Sequence, residues 1–337
     1  MVACDRIIIM AQDDTWGVVG HEWAVRLLRG ALERDELSHA YLFTGPPGVG
    51  KTTLAQALAS ALFCEGEPCP CGSCRACHLI ASGNHPDLQW VGPESGAGWF
   101  TVGQVRRLQR QLSLTPNLGS HRVAILERFE QATPSAANAL LKMLEEPPPY
   151  VLLILLAPDT DSLLPTIVSR CQVIPLRPLP IQRVQEVLEG RFGVEPERAR
   201  LLAHLCGGRL GWAIRAATDP APLRRRQQRL EDLMGLLRAS LVERFRYAAE
   251  LARDRETAHE TLDLWAGWWR DVMLLAGGAE GPLTNLDRRQ RLEEQAARLG
   301  VRRAAALVEA TRAAADRLRR NANPRLTLEV LLAFDLA

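Results

Sequence analysis

The chain has 337 residues, 47% of them apolar and 24% charged, with a formal net charge of +2 at neutral pH. That length divides into two or three domains, and the balance is that of an ordinary soluble globular protein. It excludes binding to nucleic acid through a global basic field, so any such contact is local. Apolar runs such as Val151 to Ala157 have the length of a buried strand and fall far short of a membrane span. The run Ile7 to Met10 is too short for the core of a signal peptide, so the chain reads as cytoplasmic, with Met1 and Met10 as alternative starts. In that compartment the eight cysteines, five of them between Cys64 and Cys77, are thiols or metal ligands rather than disulfides.

From Trp16 to Glu33 the apolar residues Val19, Ala24, Leu27, Leu28 and Ala31 fall on one helical face. The apolar run Ala40 to Phe43 then predicts a buried strand, and it delivers the chain into Gly45-Pro46-Pro47-Gly48-Val49-Gly50-Lys51-Thr52. This G-x-x-x-x-G-K-T spacing is a phosphate-binding loop. Its glycines let backbone N–H groups crowd an anion, and a helix from Thr53 to Leu62 turns its positive end toward the phosphates. Lys51 reaches the β and γ oxygens, and the Thr52 hydroxyl holds Mg²⁺. ATP or ADP with Mg²⁺ is therefore the expected ligand.

Cys64, Cys71, Cys74 and Cys77 have the spacing C-x6-C-x2-C-x2-C, with Cys69 competing with Cys71 for the second place. Four thiolates fill the tetrahedral shell of Zn²⁺ and leave no open position, so the expected site is structural. Farther along, Val102 to Leu114 is amphipathic, with Val105, Leu108 and Leu112 on one face. Arg106, Arg107 and Arg110 lie on the other, which reads as solvated surface before it reads as a phosphate contact.

Arg122 to Leu126 predicts a second buried strand ending in Glu127 and Arg128. Such a strand end places one carboxylate toward Mg²⁺, here Glu127, and in many phosphate-loop ATPases a second that orients the attacking water. Arg128 holds that second place, and a cation cannot accept the water's proton, so hydrolysis is expected to be absent or very weak while binding survives. Glu130 is the nearby carboxylate that would have to compensate, at the wrong offset. A helix over 138–146 stopped by Pro147, the strand Val151 to Ala157, a helix over 163–168, Ser169-Arg170-Cys171 and the strand Val173 to Leu176 follow. The alternation indicates a mainly parallel sheet with ligands at the carboxyl ends of its strands.

Proline-rich breaks at Leu176 to Pro180 and Thr218 to Pro222 bound a segment of short helices, and the rest of the chain is helical. Expected domains are therefore 1–178, 179–219 and 220–337. Trp265, Trp268, Trp269 and Val272 share one helical face, which makes them core or subunit interface before a base-stacking platform.

These pieces together resemble the AAA+ clamp-loader subunits of bacterial DNA polymerase III, most closely the delta-prime type. The residues that carry the resemblance are His39-Ala40-Tyr41-Leu42-Phe43 before the loop, the four-cysteine knuckle, Asn138-Ala139-Leu140-Leu141-Lys142 with Leu144-Glu145-Glu146-Pro147-Pro148, Ser169-Arg170-Cys171, and Asn321-Ala322-Asn323-Pro324 with Leu328-Glu329. The resemblance implies an α/β P-loop (AAA+) domain with a mainly parallel sheet, followed by a small helical lid and an all-helical collar that packs subunits into an arc. It implies gamma/tau and delta subunits as partners, with the beta sliding clamp and primed DNA reached through the complex and no membrane contact. It also makes Arg170 a finger reaching a neighbouring subunit's ATP. Arg128 in the catalytic place, Ala157-Pro158 at the sensor place and Gly211 where the lid would supply an arginine favour a non-hydrolysing delta-prime stator. The alternative is a catalytically active gamma/tau-type ATPase in which Glu127 and Glu130 share the work.

Overall fold

The computed structural model describes residues 16–93, 99–279, 281, 283–320 and 322–335; the Ile7–Met10 run and Asn321 lie outside them. The chain divides into two compact units, Met1–Pro178 and Leu179–Ala337.

The first unit is a sheet of five parallel strands covered by helices. Its elements are α1 (Glu22–Glu33), β1 (Ala40–Thr44), α2 (Lys51–Phe63), α3 (Arg75–Ala81), β2 (Leu88–Val91), α4 (Val102–Leu112), β3 (Arg122–Leu126), α5 (Pro134–Glu145), β4 (Val151–Ala157), α6 (Pro165–Val168) and β5 (Gln172–Pro175). The strand order is β2-β3-β4-β1-β5, every pairing parallel. Strands β1, β3 and β4 are buried along their whole length, which is why they read as unbroken apolar runs rather than alternating ones. Alternate residues nevertheless serve opposite faces. Tyr41, Phe43, Val123, Ile125, Ile154 and Leu156 pack under α1, α2 and α3. Ala40, Leu42, Ala124, Leu126, Leu153 and Leu155 pack under α4 and α5.

Two helix boundaries differ from the sequence expectation, each for a local reason. Helix α1 begins at Glu22 rather than Trp16, because Trp16, Gly17 and Gly20 take positive φ, and it buries Ala24, Val25 and Leu28 while Leu27 faces out. Helix α5 begins at Pro134, four positions before Asn138, because the Thr133 hydroxyl caps Ala136 N–H and proline tolerates the first helical position. Strand β2 and helix α3 were not anticipated; both are short, and β2 buries only Leu88 fully.

The second unit is helical: α7 (Ile181–Phe192), α8 (Pro196–Leu205), α9 (Leu210–Thr218), α10 (Ala221–Leu236), α11 (Leu241–Leu251), α12 (Arg255–Ala276), α13 (Arg289–Arg319, interrupted at Gly300) and α14 (Pro324–Val330). Trp265, Trp268 and Trp269 are all within 1% of full burial at its centre, packed with Leu233, Leu292, Leu307 and Leu328. Their indoles are therefore core and offer no face to a base. Trp265 donates to Arg229 O at 3.0 Å and Trp268 to Gln295 Oε1 at 2.7 Å, which satisfies the polar edge of those two rings, while Trp269 Nε1 is buried without a partner. The connection from α12 to α13 is closed by buried Asp271, which accepts from Thr284 N, Asn285 N and Asn285 Nδ2. Arg226 bridges Asn285 and Asp287 beside it.

Candidate nucleotide and metal sites

The phosphate-loop residues lie at the carboxyl end of β1, between its neighbours β4 and β5. Gly45, Gly48 and Gly50 all have positive φ. Gly45 is the most constrained, because a Cβ there would stand 2.3 Å from Leu176 O, so only glycine lets the loop pass β5 so closely. Its N–H donates to Pro158 O at 2.9 Å. The position expected to carry a polar sensor side chain thus contributes a backbone carbonyl that anchors the loop. Helix α2 starts after Gly50 with no side-chain cap, so the first N–H groups of a thirteen-residue helix, those of Lys51, Thr52 and Thr53, have no acceptor within the helix and adjoin the loop from Gly45 to Val49. That donor set fits a polyphosphate.

Lys51 folds back onto Gly45 O and Pro46 O, the latter at 3.1 Å. Burial pushes its ammonium down to about 8, against the opposing pull of Glu130 and Asp159. The converse holds at Glu130, whose carboxyl burial pushes up to about 7 against Lys51 and Arg128. Glu130 Oε2 is buried without a hydrogen-bond partner. Glu127 stands at the end of β3 with its N–H on Val91 O at 2.8 Å. Arg128, the next residue, is exposed and sits in the left-handed region at φ 54°, ψ 46°.

Sequence reasoning did not find His21. It is 2% exposed, and its Nε2 lies 3.0 Å from Val49 O inside the phosphate loop. A carbonyl only accepts, so Nε2 carries the proton, and burial lowers the ring's pKa and keeps it neutral. Nothing in the sequence joins His21 to a loop 28 residues on.

The sulfurs of Cys64, Cys71, Cys74 and Cys77 lie within 4.8 Å of one another. Backbone N–H groups point at them. Cys64 receives Gly66 N at 3.4 Å and Cys71 N at 3.2 Å, Cys71 receives Cys74 N at 3.3 Å, and Cys74 receives Cys77 N at 3.5 Å. A backbone bond from Gly72 reaches Cys77. N–H donors stabilise thiolates over thiols, so the set fits a divalent metal. Gly66 lets the loop close, since a Cβ there would stand 2.9 Å from Cys71 Sγ, and Gly72 turns the knuckle at φ 71°. Cys69 is outside this group and donates to Ala61 O at 3.1 Å.

Arg170 follows the short helix α6. Its Nη2 meets Glu145 Oε1 at 2.8 Å and its Nη1 donates to Thr166 O at 2.9 Å. The side chain is 36% exposed and the Glu145 side chain 50%, so the Ser-Arg-Cys and Glu-Glu-Pro motifs meet at the surface through one solvated ion pair.

Residues 20–180 match the family described as DNA polymerase III, delta subunit. The DNA polymerase III subunit delta' of Bacillus subtilis is 43% identical over 183 residues, which is 54% of this chain and 54% of that protein. The subunit delta' of Pseudomonas aeruginosa is 44% identical over 160 residues, 46% of this chain and 49% of its own. The matched region of the first unit is thus similar in sequence to DNA polymerase III delta' subunits. The DNA polymerase III subunit tau of Bacillus subtilis is similar as well, at 38% identity over 157 residues, 46% of this chain and 27% of that protein. The chain spans about half the length of the delta' relatives it matches. The family match takes in the phosphate loop, the cysteine group and Arg170 and stops at 180, so the helical unit is described by its own packing alone.

Proposed function

We propose that the chain is a clamp-loader subunit of the DNA polymerase III holoenzyme, of the non-hydrolysing delta-prime kind. It binds ATP or ADP without turnover and presents Arg170 to the ATP site of a neighbouring gamma/tau subunit. Together with that subunit and delta it loads the sliding clamp on primed DNA.

The observation that carries this reading is Arg128. At the end of β3, where a hydrolysing site needs a base for water, the chain holds an exposed guanidinium, which is always protonated. In the same unit Gly45 to Thr53 keeps the geometry of a polyphosphate cradle, with Lys51 as the counter-charge and Thr52 and Glu127 as the groups for Mg²⁺. Bound nucleotide would supply the charge that draws Lys51 off Gly45 O and Pro46 O. Arg170 is suited to act on another subunit, because a surface ion pair to Glu145 holds it in place at little energetic cost to release. Cys64, Cys71, Cys74 and Cys77 hold a structural Zn²⁺ that fixes the segment between α2 and α3. Residues 179–219 form the lid and 220–337 the collar.

A second reading, a catalytically active gamma/tau-type subunit, is favoured by one observation. Glu130 is a buried carboxyl near Lys51 whose pKa of about 7 suits a general base.

Steady-state turnover separates the two. The isolated chain is expected to bind nucleotide and to hydrolyse it at background, and appreciable turnover that Glu130→Gln abolishes would establish the second reading. In a reconstituted complex, Arg170→Ala is expected to leave assembly intact and to lower ATPase activity by roughly 10³-fold, the lower end for arginine fingers in comparable enzymes. Unchanged activity would remove Arg170 from the mechanism. Metal analysis is expected to give about one zinc per chain.

A further inference from the structure

The phosphate loop is tied to a part of the chain that comes well before it. His21 stands immediately before α1, where its carbonyl accepts from Ala24 N at 2.9 Å and Val25 N at 3.1 Å, but its side chain makes no cap to that helix. His21 is 2% exposed, and the ring lies against the loop instead, with Nε2 3.0 Å from Val49 O. It also covers Gly50, where an added Cβ would stand 3.7 Å from His21 Cδ2 and 3.9 Å from Nε2. Val49 is itself buried, in the apolar cluster that holds Val18 and Val25. Both ends of the contact are therefore fixed, the ring by the start of α1 and the carbonyl by a buried residue.

A loop that passes through positive φ at Gly45, Gly48 and Gly50 has many backbone states open to it, and a tether that removes the wrong ones before a ligand arrives lowers the cost of binding. In a planar trans peptide the N–H points opposite to the carbonyl. Holding Val49 O on the ring therefore turns the Gly50 N–H to the other side of the chain, away from His21. That N–H directly precedes those of Lys51, Thr52 and Thr53 at the uncapped start of α2. We propose that His21 is a positioning residue of the phosphate loop, whose Nε2–H, by fixing Val49 O, aims the Gly50 N–H at the phosphates of a bound nucleotide. Burial keeps the ring neutral, so it acts through orientation and adds no second counter-charge to that of Lys51. This inference rests on the nucleotide reading of the loop, and part of its test needs no nucleotide.

The experiment compares the full-length chain with His21→Leu, which fills similar volume without a donor, and with His21→Gln, whose side-chain N–H can reach the same carbonyl. Affinity is measured by titration with a fluorescent ADP analogue. Order in the loop is measured without nucleotide, by hydrogen-exchange mass spectrometry of peptides covering residues 45–53. His21→Leu is expected to bind the analogue about 10-fold to 100-fold more weakly, the worth of a hydrogen bond to a charged group, and to exchange its loop amides faster. His21→Gln is expected to restore most of both, which a merely space-filling role would not produce. Wild-type affinity in His21→Leu, or equal losses in the two variants, would overturn the proposal. Should His21→Leu not fold, nitrogen-15 NMR of the wild-type imidazole decides, because the contact requires the Nε2–H tautomer and an Nδ1–H tautomer would overturn it. A wild-type chain that binds no analogue would instead remove the nucleotide reading. Loop exchange faster in His21→Leu than in His21→Gln would then still show the ring holding the loop, and equal exchange would end that claim too.

Discussion

In the α/β unit the residues able to do chemistry stand at the carboxyl ends of strands buried from end to end, as Gly45 does after β1 and Glu127 after β3. In the helical unit several buried polar groups close on one another instead. Asp271 takes up two backbone N–H groups and the Asn285 amide, and the indoles of Trp265 and Trp268 find acceptors within the core. One unit leaves donors and charges unsatisfied by its own chain at one edge: the uncapped start of α2 and the buried Glu130 oxygen. The other partners Asp271 and two of its three core indoles within its own chain, though Trp269 Nε1 and Arg226 Nε are buried without a hydrogen-bond partner, and among the described residues it gathers no such groups at the ends of strands. Unsatisfied polar groups gathered at one strand edge mark a candidate ligand site, whereas partnered ones mark a scaffold.

That contrast is open to attack at several points. The largest effect is expected from Trp265→Ala, which empties a site with no exposure at the centre of the helical core and should cost about 3–5 kcal/mol. It would be read as a lower urea midpoint, with zinc content and nucleotide binding retained below the transition; loss of both at low urea would show that the scaffold and the ligand-binding unit do not stand apart. Next, Gly45→Ala forces a Cβ against Leu176 O at a φ of 140° and is expected to cost about 1–3 kcal/mol and to abolish nucleotide binding. Binding at wild-type affinity, measured by titration with a fluorescent ADP analogue, would show that the loop does not need its close pass along β5.

Glu130 gives a pH test of intermediate size. Its carboxyl keeps its proton to about pH 7 in the folded chain and to the ordinary 4.5 in the unfolded one. The folded state therefore binds more protons across that window, and its stability falls as pH rises from about 4.5 to 7. Glu130→Gln removes this slope, so the variant should gain on wild type by about 1–3 kcal/mol between pH 5 and pH 7.5 in urea unfolding. An unchanged difference at the two pH values would show that the carboxyl titrates as if solvated. The smallest effect belongs to Glu145→Gln, which removes the solvated partner of Arg170 and should change stability by less than about 1 kcal/mol. A larger loss in the same unfolding assay would mean that the pair is part of the scaffold.

Much of the α/β unit was legible because its strands are buried on both faces and its loop has a fixed glycine spacing. The runs at 40–43, 122–126 and 151–157 each became a strand, the first extended to Thr44. Helix α4 buried the expected Val105, Leu108 and Leu112. What escaped was local or distant. The start of α1 depended on positive φ at Trp16, Gly17 and Gly20, which periodicity does not register. Strand β2 is four residues long with a mixed surface, too little pattern to separate from a loop. The contact of His21 with Val49 joins two elements that the sequence keeps 28 residues apart.

By itself the sequence determined which residues carry charge, sulfur and backbone freedom, and in what spacing: the phosphate loop, the cysteine knuckle, the arginine after Glu127. These are properties of covalent composition and of local conformational preference, and they survive without knowledge of the fold. Only the tertiary structure decided which of them meet. It gathered Cys64 with Cys71 rather than Cys69, laid His21 against the loop, and buried Glu130 within the electrostatic reach of Lys51. The reason is that pairing energy and desolvation depend on distances through space, and a parallel sheet brings the ends of strands far apart in the chain to a single edge.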